Sequence, residues 1–455
     1  MSNKFYFPTL FVCLHSLLLA NVTHAAGFAI AEQSVSGLGN AFSGGAAFAE
    51  DASTIFFNPA GMSEFTKERI DVAGHYIKTR FKFKNAASTG ASALGSPSLA
   101  GQNNDGGQGS LVPNIYYIRP VSETMTFGFG VFSPFGLNTL YDDDWIGRYH
   151  AVGTALTTVN FNPSLSMKMT DKLAMGAGLN LQYASVQLSS AIDFGSLCFA
   201  MLDSASCQLM NVGPQQNDGF VELDGNTADA LGIGWNWGVL FKPAAHTQIG
   251  AAYRSQIKHR FKGKADFSVP GSTAFVTGSG YFTDTDIKAD LTVPPSFSLS
   301  AYHGTDATFG VMADLTWVGW STFEELRIKY DSGQPDSVTT ENWKNSYRAA
   351  LGFNYRLNEL VLLRTGIAYD KSPVPDAEHR TPRGPDNDRT WLTVGSRFSV
   401  APVIDIDVAY AHLFINAGES DNTFESSVPT MQATLNGRYE MSADIISAQL
   451  NWRFE

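Results

Sequence analysis

One pattern constrains this chain more than any other: an alternation of period two that recurs along it with too few helical stretches to cover its apolar side. Residues 173–183 read LAMGAGLNLQY. Leu173, Met175, Ala177, Leu179, Leu181 and Tyr183 fall on one face; Ala174, Gly176, Gly178, Asn180 and Gln182 fall on the other. Successive side chains of a strand point to opposite faces, so this is a strand with one apolar and one small or polar side. In water the apolar side would need a second sheet or a layer of helices. Lipid covers it equally well, with the polar side facing a lumen. The pattern returns at Trp235–Phe241, Ile249–Ile257 (with Ile257 on the apolar face of Ile249, Ala251 and Tyr253), Tyr347–Tyr355 and Ile446–Phe454. Strands in lipid must close into a cylinder, because an open edge would leave backbone donors without partners.

Turn chemistry counts the strands. Short polar turns at 119–123, 170–172, 242–247, 304–308, 357–359 and 401–403 join twelve strands in pairs. One strand before them (about 68–84) and one after (about 441–454) make 14. Long connections fall on the other side, at about 85–110, 138–154, 190–233, 262–295, 320–345, 371–389 and 415–439. The expected fold is all-β: a 14-stranded antiparallel transmembrane barrel with short turns at one rim and long loops at the other. Charged residues make up only 16% of the chain, against ~25% in an average soluble protein.

Residues 1–25 read as an export signal, with Lys4, the apolar stretch Leu10–Ala20 and a small-residue site at Thr23-His24-Ala25. The mature chain is expected to begin at Ala26, and no later run approaches the ~18 apolar residues of a membrane helix. The predicted location is the outer membrane of a Gram-negative bacterium, with lipid, lipopolysaccharide and the barrel assembly machinery as partners of a monomer. A net charge of −12 speaks against nucleic acid. Cys198 and Cys207 are a candidate disulfide, two free thiols being the alternative. No His/Cys cluster has metal-ligand spacing, no Walker A loop is present, and no histidine sits in a nucleophile context. Neither cofactor nor catalysis is expected.

Three stretches carry a family resemblance. They are GFAIAEQSVSGLGNAFSGGAAFAEDASTIFFNPAGM at 27–62, WVGWSTFEEL at 317–326 and AYDKSPVPDAEHRTPRGPDNDRTW at 368–391. Together they resemble the FadL family of outer-membrane transporters for long-chain fatty acids and other hydrophobic compounds. The resemblance implies an N-terminal hatch, residues 26–66, inside a barrel formed by 67–455. It implies uptake of long-chain fatty acids, or alternatively of monoaromatic hydrocarbons; with no Walker A loop, passive diffusion down a gradient is expected. Within the hatch, EDASTIFFNPAGM at 50–62 reads as too short and broken for a core helix, and Pro59 followed by Gly61 is turn chemistry. Phe28, Phe56 and Phe57 are expected beside the ligand path, with Asn58, Pro59 and Ala60 fixing a turn.

Capture is expected in residues 197–213, where Leu202, Leu209 and Met210 stand with Leu197, Phe199 and Met201 in a polar excursion. The competing reading is a loop folded on its own small core. Sideways release requires a defect in the wall, and TFGFGVFSPFGL at 126–137 supplies one. Gly130, Ser133, Pro134, Phe135 and Gly136 would kink the third strand and leave unpaired backbone groups facing the lumen. A carboxylate head group calls for a cation. The positions that match the family's basic pair, near Ser190 and Thr340, are not basic. By strand phase Arg254, Lys258, Arg348 and Arg364 face inward, and Asp370, in the phase of Arg364, is expected to pair with it.

Overall fold

The computed structural model describes residues 27–227, 231–305 and 308–454; the expected signal, residues 1–25, and Ala26 lie outside them. The strands in chain order are β1 (Arg69–Asn85), β2 (Gly109–Pro120), β3 (Met125–Phe132 and Gly136–Leu140), β4 (Gly153–Thr170) and β5 (Leu173–Asp193). Then come β6 (Asp218–Asn226 and Gly232–Ala244), β7 (Thr247–Arg254 and Ile257–Ser268), β8 (Thr285–Val293 and Ser296–Gly304), β9 (Phe309–Val318 and Glu325–Tyr330) and β10 (Ser337–Thr340 and Ser346–Arg356). The last are β11 (Val361–Asp370), β12 (Arg389–Ala401), β13 (Ile404–Thr423) and β14 (Thr434–Arg453). Each pairs antiparallel with its neighbours, and β14 pairs with β1 from Arg69↔Arg453 to Asn85↔Gly437, closing the 14-stranded cylinder. The six predicted turns join the predicted strands. Among the described residues no helix is long and apolar enough to cross a membrane.

The long connections are shorter than the turn count suggests, because several strands continue into them. β5 runs for 21 residues and β13 and β14 for 20 each, where ~9–11 suffice to cross lipid. These strands project past the bilayer on the long-loop side. Residues 218–226 and 285–293, expected in loops, belong to that projecting sheet.

Five consecutive strands, β6 to β10, are each broken at a similar level. In β8 the break is Pro294-Pro295, where neither residue can donate to a ladder. In β6, β7 and β8 the break also reverses the phase. Even-numbered residues of β7 face inward as far as Arg254, and odd-numbered ones from Ile257 onward. The inward placement expected for Lys258 is therefore wrong: its side chain is half exposed on the outer surface and pairs with Asp290 at 2.8 Å, while Ile257, expected on the lipid face, is buried inside. A one-residue shift moves every following side chain to the other face.

Residues 27–66 lie within the barrel. Ser34 caps the helix α1 (Val35–Gly39), its hydroxyl accepting from the Gly37 amide at 3.1 Å. The Ile-Phe-Phe stretch, read as non-helical, forms one turn, α2 (Thr54–Phe57), followed by a 3₁₀ turn at Pro59–Glu64. Tertiary packing overrides the local signal, since Ile55 and Met62 are fully buried against Tyr116, Ile118 and Phe132. The small inner faces of the strands let the hatch approach. A Cβ on Gly250 would lie 1.8 Å from the Ala46 carbonyl oxygen, and one on Gly176 would lie 2.4 Å from the Pro59 carbonyl carbon.

Candidate functional site

The projecting halves of β5, β6, β7, β9 and β10 form an inward apolar face that lines a cavity of about 420 Å³. Val221, Leu223, Phe267, Leu326 and Ile328 come from the strands, and Phe282, Val428 and Met431 from the loops above. Leu326 and Arg383 also line a smaller cavity of about 60 Å³ that continues inward past Leu137, Leu156 and Trp343 to Gly27 and Phe28. Aromatic side chains enclose its end. The Phe28 ring lies 4.5 Å from Trp320, 5.4 Å from Phe323 and 5.6 Å from Trp343, each edge-on or tilted. Gly27 is obligatory here: its φ is +62°, and a Cβ would come within 2.5 Å of Trp343.

Arg383, in the connection between β11 and β12, is the cation shared by both cavities. Its Nη1 donates to the Gly153 carbonyl and the Thr154 hydroxyl, both at 3.2 Å. Among the described residues it makes no ion pair, which leaves guanidinium donors for a ligand acceptor. Burial pushes it down to about 10, so it stays charged at neutral pH. Glu341, in the break of β10 above the lipid-crossing half, lines the inner cavity beside it. The Trp343 indole donates to Glu341 Oε2 at 2.8 Å, and the Thr381 hydroxyl to Oε1 at 3.3 Å. Burial pushes this carboxyl up to about 8, leaving it mostly protonated at neutral pH.

The wall is interrupted at Ser133–Phe135, between the two parts of β3. The lower part pairs with both neighbours; Gly136–Leu140 pairs with β4 and not with β2. The expectation that the kink leaves backbone groups unpaired is corrected by the hatch. The Ile30 amide donates to the Pro134 carbonyl at 2.9 Å, and the Gly136 amide to the Phe28 carbonyl at 2.9 Å. Gln33 Nε2 reaches the Ser133 carbonyl at 2.9 Å, and the Thr158 hydroxyl substitutes for ladder bonds at Phe135. The Phe135 ring turns inward, 6.2 Å from Phe28. Gly130 lies in the regular ladder below, opposite Tyr116 and Asn162.

Arg254, Arg348 and Arg364 face inward as their phase indicates, and all three hold the hatch. Arg254 donates to the Phe56 carbonyl at 3.0 Å and lies over the Phe56 ring. Arg348 donates to the Ala41 carbonyl at 2.8 Å. Arg364 pairs with Glu50 at 2.5 Å and Asp407 at 2.7 Å, and Arg397 adds a second pair to Glu50 at 3.1 Å. Asp370 does not pair with Arg364; it lies 3.9 Å from Arg389. Six residues of one strand span ~20 Å, so a shared phase does not bring the two together. Phe56 packs on Phe132 and Phe57 on Phe42, away from both cavities. Asn58 accepts from the Ala60 amide at 3.0 Å and donates to the Val239 carbonyl at 3.0 Å, fastening the Asn58-Pro59-Ala60 turn to β6.

Cys198 and Cys207 are bonded, joining α3 (Phe194–Met201) to α4 (Ser204–Leu209) around a core that includes Val212. Leu197 and Met201 line the outer cavity; Leu202, Leu209 and Met210 do not, and Leu209 is 88% exposed. Arg383, Glu341, Trp320 and Trp343 were not among the expected site residues. The only sequence signals were the stretches at 317–326 and 368–391, which contain two of them.

A family model described as outer membrane protein transport protein (OMPP1/FadL/TodX) matches residues 16–454. The 47 kDa outer membrane protein of Pasteurella multocida is 31% identical, over 96% of each chain. The long-chain fatty acid transport protein of Escherichia coli K12 is 29% identical, over 94% of this chain and 97% of that one. Among solved structures, a Pseudomonas aeruginosa FadL homologue superimposes with a TM-score of 0.83 at 23% identity, covering 94% of this chain and 100% of that one.

Proposed function

The chain belongs to the FadL family of outer-membrane transporters for hydrophobic compounds, and from that premise we propose that its cargo is long-chain fatty acids. One observation carries the choice: an apolar double cavity with a single cation, Arg383, at the junction. Each CH₂ moved from water into such a cavity contributes roughly 0.8 kcal/mol, so an acyl chain enters readily. The carboxylate is held by Arg383 through a charge-assisted hydrogen bond. The Escherichia coli relative, a long-chain fatty acid transport protein, supports this reading. The acid enters the outer cavity, passes inward toward Phe28 and leaves sideways where β3 is kinked. The route needs the hatch segment at Phe28–Ile30 to release Pro134 and Gly136, because its bonds close the kink. Transport runs down the gradient.

The test is uptake of labelled oleate and of toluene in a strain lacking its own transporter. We expect oleate uptake, lowered at least tenfold by Arg383→Gln. Toluene uptake without oleate uptake would replace this reading with monoaromatic hydrocarbon transport.

A further inference from the structure

The outward face of β1 changes character abruptly. Ile70, Val72, Gly74 and Tyr76 face lipid in succession, and Lys78, Arg80, Lys82 and Lys84 follow in the same phase. All eight project to the outer surface, because the odd-numbered residues between them are buried. The change falls at one level on the neighbouring strand as well. Outward Trp452, Leu450 and Ile446 of β14 give way to Asp444, and Asp444 lies opposite Lys78 in the ladder. The basic comb thus begins where the hydrocarbon band ends, on the long-loop side.

A second basic run, Lys258, Arg260, Lys262 and Lys264, lies on β7. Its cross-strand partners on β8 include Asp290 and Asp286, and Asp224 stands opposite Lys264 on β6. The β1 comb also faces carboxylates across its ladder, Asp444 opposite Lys78 and Glu440 opposite Lys82. On β1, Lys84 pairs with Glu440 at 2.5 Å, and Arg80 is only 3.8 Å from Asp105. Lys78 and Lys82 make no ion pair among the described residues; Lys78 reaches only the Gly107 carbonyl, at 3.4 Å.

We propose that the Lys78–Arg80–Lys82–Lys84 comb is a binding site for the phosphate groups of an outer-leaflet phosphoglycolipid of the lipid A type, whose acyl chains lie along the apolar lower half of β1. A basic cluster at the edge of the hydrocarbon band is the arrangement that retains anionic lipid. Successive outward residues are ~7 Å apart, so the comb reaches along a head group rather than to a single point. The long lysine stems extend to the interface while their apolar parts stay against the wall. The site is separate from the transport path, which lies on the other side of the wall.

The test uses the full mature protein, extracted in mild detergent and exchanged with bisphosphorylated or dephosphorylated lipid A, with retained lipid counted by native mass spectrometry. Four-fold replacement of the comb by Gln (K78Q, R80Q, K82Q, K84Q) should lower retention of the bisphosphorylated form at least tenfold, since each surface charge contributes ~1 kcal/mol. Unchanged heat-modified migration and strand content confirm that the variant is folded. Equal retention by the comb variant, equal retention of dephosphorylated lipid, or displacement by millimolar inorganic phosphate would overturn the proposal.

Discussion

Removing the Glu50 carboxylate should unseat the hatch. Glu50 is the hatch's anchor to two wall arginines: Arg364, whose side chain is 0% exposed, at 2.5 Å, and Arg397 at 3.1 Å. In Glu50→Ala those guanidinium groups remain in place with Asp407 as their shared counter-ion. Breaking a buried pair by removing one partner costs ~3–5 kcal/mol. Because Asp407 keeps part of the compensation, the lower figure applies, which is a rise of about a hundredfold in the unseated population. The ties at Asp51–Gln449 and Ala52–Asp71 persist, so the barrel stays intact while residues 45–50 leave the wall. Planar-bilayer conductance is the assay, with small-sugar uptake into proteoliposomes as a second readout. Glu50→Ala should show frequent openings that the parent lacks. Adding Arg364→Met, which removes the stranded charge, should recover part of the closed state. A correctly inserted Glu50→Ala protein with the parent's conductance would refute the argument that these pairs seat the hatch.

Other outcomes follow from the same contacts. Folded Glu341 keeps its proton to about pH 8, whereas its ordinary value is 4.5. Its contribution to stability is therefore complete below pH 4.5, declines across the interval and is lost above about 8. Over the upper part of that window ionised Glu341 competes for Arg383, so oleate affinity should fall as pH rises through 8, and Glu341→Gln should flatten the titration. Replacing Pro134 and Gly136 with valine should restore ladder pairing and abolish uptake in a barrel of unchanged melting temperature; normal uptake by the folded variant would count against release at the kink. Gly250→Val places a branched side chain against the Ala46 carbonyl, and overpacking of this kind costs ~1–3 kcal/mol, read as faster hydrogen exchange in the hatch. Replacing Cys198 and Cys207 by serine should increase exchange within residues 194–212 and leave barrel melting unchanged.

Much of the architecture was written in local chemistry. Strand alternation, the six short turns and the shortage of covering helices together admit a closed lipid-facing cylinder and little else, because each acts within a few residues. Pro134 and Gly136 likewise mark the kink by what they cannot do or uniquely can. Tertiary structure decided what lies beyond that range. The breaks at Arg254–Ile257 and Pro294-Pro295 shift the inward phase, so Lys258 emerges on the outside although its spacing from Arg254 places it within. Which arginine is left for a ligand depends on hatch carbonyls and carboxylates more than 200 residues away: Glu50 occupies Arg364 and Ala41 occupies Arg348, while Arg383 remains. Alternation fixes which way a side chain points; only the closed barrel with its stopper in place fixes what that side chain meets.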